Sequence, residues 1–219
     1  MGTPLPTLPL APAAPPTNQQ ERRALAGRAR TLTYLGLGWH ALEAAVAILA
    51  GVVAGSVALV GFGADSVIEV AAGLVVLWLI TGGRLSSGAA ERRAQQLIAA
   101  SFVLLAAYVT VESARDLVGG HHPAASWLGV GFAAITLVAM PPLAAAKRRV
   151  ATGLGSSAAA SESRQTMLCA YLSGALLVGL LANAVTGWWW ADPIVALVIG
   201  AVAIREARDA WHGDSCSCC

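Results

Sequence analysis

A single apolar stretch, Val57–Thr81, restricts the fold of this chain more than any other feature of its sequence. The stretch is longer than the roughly 20 residues that a helix needs to cross a bilayer, yet Asp65 and Glu69 lie near its middle. A spacing of four residues places both carboxylates on one face of a helix, one turn apart. Carboxylates at membrane depth are costly and usually face an ion, a cavity or a partner. Two that point the same way predict a cation site.

The composition agrees with a membrane protein. Hydrophobic residues make up 57% of the chain, charged residues only 12%, and the mean hydropathy is +0.66. A net charge of +2, with no basic run interleaved with aromatic residues, argues against a nucleic-acid partner. No G-x-S-x-G elbow and no glycine-rich strand-to-helix turn is present in the sequence, so we predict neither an enzyme nor a bound cofactor.

Six apolar segments approach spanning length, which predicts an all-α membrane protein with six transmembrane helices. The segments are Leu32–Ala54, Val57–Thr81, Leu97–Leu117, Ser126–Ala146, Thr166–Thr186 and Pro193–Ile204. Only Gly55 and Ser56 separate the first two, so these should form a tight antiparallel pair. The last segment is short unless its helix continues through Arg205–Trp211. Close helix packing, or merely a glycine-rich composition, explains the small residues Gly51, Gly55, Gly174 and Gly179.

The ends of the chain differ from its apolar middle. Residues 1–30 form a predicted cytoplasmic tail, Pro-rich and disordered at first and basic later, and residues 31–211 form the transmembrane domain. Residues 212–219 are a tail with three thiols, Cys216, Cys218 and Cys219, which predicts weak capture of soft metals or no special role. Asp209–Cys219 is too short to fold, so no soluble C-terminal domain is expected.

Basic residues predict the orientation. If the chain crosses the membrane six times, all 14 basic residues except Arg115 lie on one side, including Lys147–Arg149 between the fourth and fifth segments. Cytoplasmic loops carry the excess of lysine and arginine, so both termini are predicted to be cytoplasmic. The expected location is the cytoplasmic membrane, inner or plasma, with lipid as the surrounding partner.

The fifth segment presents a second polar face. Gln165 and Cys169 again have a spacing of four residues, and in a bundle they can meet Asp65 and Glu69. Four such groups give a site of mixed oxygen and sulfur donors that suits divalent Zn, Mn, Co, Fe or Cd. The alternatives are that Cys169 is a small buried hydrophobe and that Gln165 is a helix-end amide facing water.

The first segment also carries two polar residues, His40 and Glu43, at a spacing of three. They either add a proton-handling group to the cavity or lie towards the membrane interface beside Trp39. The sequence favours the interface.

Two motifs resemble the cation diffusion facilitator family. GSVALVGFGADSVIE, residues 55–69, resembles the second transmembrane helix of that family, where a GSxAL opening precedes two metal ligands four residues apart. Asp65 and Glu69 occupy those ligand positions. GWWWADPIVALVIGAVAIREA, residues 187–207, resembles the sixth helix and the turn before it. When Asp192-Pro193 is aligned with that turn, Gln165 and Cys169 fall where the family usually has His and Asp.

The resemblance extends over about Leu32–Trp211 and implies an exporter of divalent metal cations, often in exchange for protons and as a homodimer. Gln165 and Cys169 change both the charge and the hardness of the ligand set. We therefore interpret the chain as a divergent member that consists of the transmembrane domain. The alternative is a non-transporting metal sensor or scaffold that retains the fold, which the neutral Gln165 motivates.

Overall fold

The computed structural model describes residues 19–81, 88–120 and 122–212. Within these ranges the chain forms six α-helices and no strand. They are α1 Gln19–Ala54, α2 Val57–Thr81, α3 Gly88–Gly119, α4 Trp127–Leu154, α5 Ser157–Thr186 and α6 Ala191–His212. The predicted all-α class is confirmed for the described residues. The predictions for the Pro-rich segment and for Cys216, Cys218 and Cys219 concern residues outside these ranges.

Most helices are longer than the apolar segments that predicted them. α1 begins at Gln19 rather than Leu32, and α6 continues to His212. The added turns consist largely of Ala, Arg, Glu and Gln, which are good helix formers in water. Hydropathy therefore marks the apolar part of each helix and not its ends.

Within the described residues, four helices are long and apolar enough to cross a membrane. These spans are Gln19–Ala54, Val57–Trp78, Trp127–Leu154 and Glu162–Thr186. In α3, Arg93 and Glu112 bound an uncharged run, and in α6 the run between Asp192 and Arg205 is shorter than a full span.

Helix α2 lies at the centre of the bundle. It contacts α1, α3, α5 and α6, while α1 also packs on α4, α4 on α5, and α3 on α6. In the most apolar window of α2, 61% of the residues are buried, against 28–39% in the other three spans. Polar groups on α2 are therefore surrounded by protein.

The predicted tight pairing of α1 and α2 is confirmed. Gly55 adopts a φ of 67°, a left-handed conformation that glycine reaches without steric cost. The amide of Ser56 then donates to the carbonyl of Gly51, 2.9 Å away, as in a Schellman motif.

Asp192, in the first turn of α6, holds the beginning of α2 in place. Its carboxylate accepts a hydrogen bond from the Ser56 hydroxyl, and its second oxygen accepts from the amide of Ala58 at 3.1 Å. A carboxylate at a helix N-terminus satisfies free amides and complements the helix dipole. This buried side chain therefore sets the axial position of α2.

Two glycines let α1 and α2 approach closely. A Cβ on Gly51 would lie 2.8 Å from the backbone nitrogen of Val60, and one on Gly63 would lie 2.9 Å from that of Ile48. Backbone atoms cannot move aside as a flexible side-chain end can. The two helices can therefore hold this distance only with glycine at both positions.

Close packing explains one of the two glycines in α5, and a glycine-rich composition explains the other. Gly179 has no room for a Cβ, which would lie 2.7 Å from Val195 of α6, whereas at Gly174 a Cβ would make an ordinary contact at 3.6 Å. Close packing thus accounts for Gly51 and Gly179 but not for Gly174.

We expect Gly51→Ala to destabilise the bundle by about 1–3 kcal/mol, because the added methyl group overlaps the α2 backbone. Gly38→Ala is the matched control on the same helix, where a Cβ meets nothing within 4 Å. Thermal unfolding in detergent should show a lower midpoint for Gly51→Ala alone. Equal midpoints for the two variants would contradict the close approach of α1 and α2.

Candidate metal centre

Four side chains with metal-ligating atoms meet where α1, α2 and α5 adjoin. They are His40 and Glu43 of α1, Glu69 of α2 and Cys169 of α5, and one donor atom from each lies within 4.8 Å of all the others. Their exposed fractions are 2%, 0%, 5% and 0%. The group is therefore almost completely shielded from solvent.

The local sequence explains why these side chains converge. His40 and Glu43 are three residues apart, so they lie on one face of α1. The close approach of α1 and α2 brings that face against Glu69. Helix α5 packs on α2 from another side and contributes Cys169.

His40 contacts both carboxylates through one ring nitrogen. Its Nδ1 lies 3.1 Å from Oε2 of Glu43, in a hydrogen bond, and 2.9 Å from Oε2 of Glu69. A single N–H can be aligned with only one acceptor, and here the aligned partner is Glu43. The contact with Glu69 is one of charge and proximity, and it links α1 to α2 across the centre.

Glu43 is held in place by four groups. Thr136 of α4 donates to its Oε1 at 2.7 Å, and Ser66 of α2 donates to its Oε2 at 3.0 Å. The thiol of Cys169 donates to the same oxygen at 3.6 Å, and His40 completes the set. Hydrogen bonds of this kind orient ligating carboxylates in metal sites.

Glu69 is different, because neither of its carboxylate oxygens has a hydrogen-bonding partner among the described residues. Nε2 of His40 is likewise without one within the described ranges. Leaving a buried polar group unsatisfied costs about 1–3 kcal/mol, and more for a charged one. Apart from the charge contact of its Oε2 with His40, the Glu69 carboxylate is free of hydrogen bonds from the described residues and is available to a ligand.

Three of the predicted site residues line one narrow cavity. Asp65, Glu69 and Gln165 lie around it, together with Glu206 of α6. Its volume is about 10 Å³, roughly that of a single water molecule. The fourth predicted residue, Cys169, joins Glu69 in the group around His40 instead. The structure thus brings the four predicted residues into two adjoining groups that share Glu69.

The structure decides one of the alternatives for the polar residues. Gln165 is not a helix-end amide in water, because α5 already begins at Ser157 and Gln165 is only 7% exposed. His40 and Glu43 are buried and belong to the polar centre, although the sequence favoured a place outside it. Their depth relative to the membrane interface stays a prediction.

Sequence reasoning also missed Glu206, which lies in the part of α6 that we expected only as a helical continuation. The sequence shows a glutamate between Arg205 and Arg208 in this extension, but it does not show that the side chain is half-buried. Glu206 lines both the narrow cavity and a larger one of about 640 Å³ between α4, α5 and α6. Leu168 and Val202 are also shared by the two cavities. The larger cavity therefore adjoins the candidate centre.

A buried ion pair joins α4 to α5. Lys147 is not a loop residue, as the sequence suggested, but part of α4, and its Nζ lies 2.8 Å from Oε1 of Glu162 and 3.1 Å from the hydroxyl of Thr166. Gly36 of α1 leaves the space that the lysine occupies. Removing one partner of such a pair leaves an uncompensated buried charge, so it locks α4 to α5.

The donor atoms indicate what the centre can bind. Imidazole nitrogen, thiolate sulfur and carboxylate oxygen are the three donor types of four-coordinate Zn²⁺ sites. Such ligands must lose their protons before they bind a metal, so binding releases protons. A buried centre of this composition can exchange a divalent cation for protons.

Comparison with known proteins agrees with this chemistry. A search of curated proteins returns no match. A family model described as the cation efflux transmembrane domain matches residues 36–210, which covers part of α1 and most of the chain up to the end of α6. The match includes every side chain of the centre. The chain therefore belongs to the cation efflux family, and it is an integral membrane protein that takes part in cation transport.

Proposed function

We propose that this protein exports divalent metal cations in exchange for protons, through a site between α2 and α5 formed by Asp65, Glu69, Gln165 and Cys169. The observation that carries the proposal is Glu69, a buried carboxylate in the middle of an apolar bundle with no hydrogen-bonding partner among the described residues.

The electrostatics favour a cation. Asp65 is only 6% exposed, and the negative charges of Glu69, Glu43 and Glu206 repel its carboxylate. Several carboxylates in a low-dielectric interior repel one another and lose their hydration. A divalent cation, or protons in its place, relieves both costs. Acidic residues within membrane spans mark ion pathways for this reason.

The larger cavity supplies an entrance to the site. Glu206 and Asp209 line it beside three arginines, Arg148, Arg164 and Arg205. Because Glu206 also lines the narrow cavity, a cation that enters between α4, α5 and α6 meets this carboxylate before it reaches Asp65. Oxygen ligands in series allow a hydrated cation to lose its water stepwise.

The topology follows from the charges. We propose that α3 and α6 cross the membrane together with the other four helices and that both termini are cytoplasmic, in the cytoplasmic membrane. All basic residues except Arg115 are then on the inner side, as the positive-inside rule requires. The larger cavity with its three arginines then faces the cytoplasm. We propose a homodimer as well, because members of this family generally form dimers.

Asp65→Ala should reduce the flux of Zn²⁺ into proteoliposomes by about tenfold or more, as loss of groups at metal sites does. The measurement uses purified full-length protein and a metal-sensitive dye in the lumen, with Mn²⁺, Co²⁺, Fe²⁺ and Cd²⁺ tested in parallel. Glu112→Ala is the matched control, because Glu112 is a partly exposed carboxylate of α3 that pairs with Arg115.

Three outcomes distinguish export through this site from export through another site and from a metal sensor or scaffold. Flux that is lost in Asp65→Ala and kept in Glu112→Ala supports the proposal. Full flux in a well-inserted Asp65→Ala variant contradicts the site. Background flux of every metal in the unmodified protein contradicts export and favours the alternative, a metal sensor or scaffold.

Exchange predicts that the lumen loses protons when metal enters. With a pH-sensitive dye inside the vesicles, addition of Zn²⁺ should raise the lumenal pH in the unmodified protein and leave it constant in Asp65→Ala. An acidic lumen should accelerate uptake of Zn²⁺, because the outward proton gradient then drives it. Zinc uptake without any change of lumenal pH, and without response to the gradient, would contradict proton coupling.

A further inference from the structure

We propose that α1 supplies two of the metal ligands, so that the cation is bound by His40, Glu43, Glu69 and Cys169 from three helices. This inference rests on the proposed function and extends it from a site between α2 and α5 to one enclosed by α1, α2 and α5. It adds His40 and Glu43 as ligands of an enclosed position that follows the position at which Asp65 and Gln165 hold the cation.

The spacing of the donor atoms fits a tetrahedral ion. Bonds of about 2.0–2.3 Å to nitrogen, oxygen and sulfur place neighbouring ligand atoms roughly 3.3–3.8 Å apart. The observed separations begin at 2.9 Å and 3.1 Å from His40 to the two carboxylates, reach 3.6 Å from Cys169 to Glu43, and stay within 4.8 Å overall. The four groups can therefore close on one ion by short side-chain movements.

The surroundings of Glu43 resemble those of a ligating carboxylate. Thr136 and Ser66 hold one oxygen each, so the carboxylate is oriented by α4 and α2 before any ion arrives. Ligands that are oriented in this way lose little freedom on binding. Glu69 lacks such support and has both oxygens free of hydrogen bonds from described residues, so it is the member that an incoming cation completes.

The same geometry explains the position of Asp65. Asp65 and Gln165 share the narrow cavity with Glu69, and Glu69 in turn belongs to the enclosed group. A cation can therefore be held first on the oxygens of Asp65 and Gln165 and then be passed to Glu69, which is a neighbour of both groups. The enclosed group differs from that first position by its imidazole and its thiol.

This donor set determines the class of cation. Thiolate and imidazole favour Zn²⁺, Cd²⁺ and Co²⁺, while Mn²⁺ and Mg²⁺ prefer oxygen ligands and higher coordination numbers. We therefore assign borderline and soft divalent cations as the substrates of the centre.

Cobalt binding tests this assignment without transport. The protein is the full chain in detergent with Cys216→Ser, Cys218→Ser and Cys219→Ser, so that the tail thiols do not bind the probe. Co²⁺ should bind with one high-affinity equivalent, with the visible spectrum of a tetrahedral ion and a thiolate-to-cobalt charge-transfer band. Cys169→Ser should remove that band, and His40→Ala should weaken the affinity by about tenfold or more.

Controls keep the test decisive. His122→Ala, at an exposed histidine outside the centre, should bind as the parent does. Glu43→Gln keeps the size of the side chain and one acceptor oxygen for Thr136 or Ser66, and should weaken binding if Glu43 is a ligand even if His40→Ala folds poorly. Each variant is first shown to elute as the parent on gel filtration.

The outcomes separate this inference from the proposed function. Parent-like affinity and spectrum in folded His40→Ala and Glu43→Gln overturn the role of α1, while flux that depends on Asp65 would leave the proposed function standing. An absence of bound Co²⁺ in the parent also overturns the inference. Binding at the assigned ligands without any flux would instead contradict transport and keep the centre.

Discussion

The contact of His40 with the carboxylates of Glu43 and Glu69 is the interaction on which the rest of the structure depends. It joins α1 to α2 at a depth where no water compensates an isolated charge, and a lone carboxylate there costs several kcal/mol. Glycine at positions 51 and 63 permits the necessary approach. Asp192 sets the height of α2, so that Glu69 meets the correct turn of α1.

The buried polar groups of the bundle differ in the hydrogen bonds and ion pairs that hold them. Glu43 has hydrogen bonds on both oxygens, the Lys147–Glu162 pair neutralises itself, and Glu69 alone among these groups is left without a hydrogen bond from the described residues. A transport site needs such a difference in hydrogen bonding between its ligands. Rigid ligands provide selectivity, whereas one carboxylate without hydrogen bonds from the described residues provides the place at which a cation or a proton can be gained and lost.

Much of this arrangement could be predicted from the sequence, for physical reasons. The length of the apolar segments predicted six helices, and the spacing of Asp65 and Glu69 predicted a polar face on α2, because both follow from helix geometry alone. The partners of the polar side chains could not be predicted in the same way. That His40 and Glu43 meet Glu69 depends on how α1 packs against α2, which hydropathy does not describe. Glu206 was missed because its role depends on the packing of α6 against α2 and α5.

Location of a bound cation tests the central claim most directly. Crystals grown with Cd²⁺ and measured for anomalous scattering should show one strong peak among α1, α2 and α5, within bonding distance of the Cys169 sulfur and of a Glu69 oxygen. Density between α2 and α5 that contacts Asp65 and Gln165 would place the ion at the position before the enclosed one instead. A well-ordered structure without any peak in either place would contradict a cation site in the centre of this bundle.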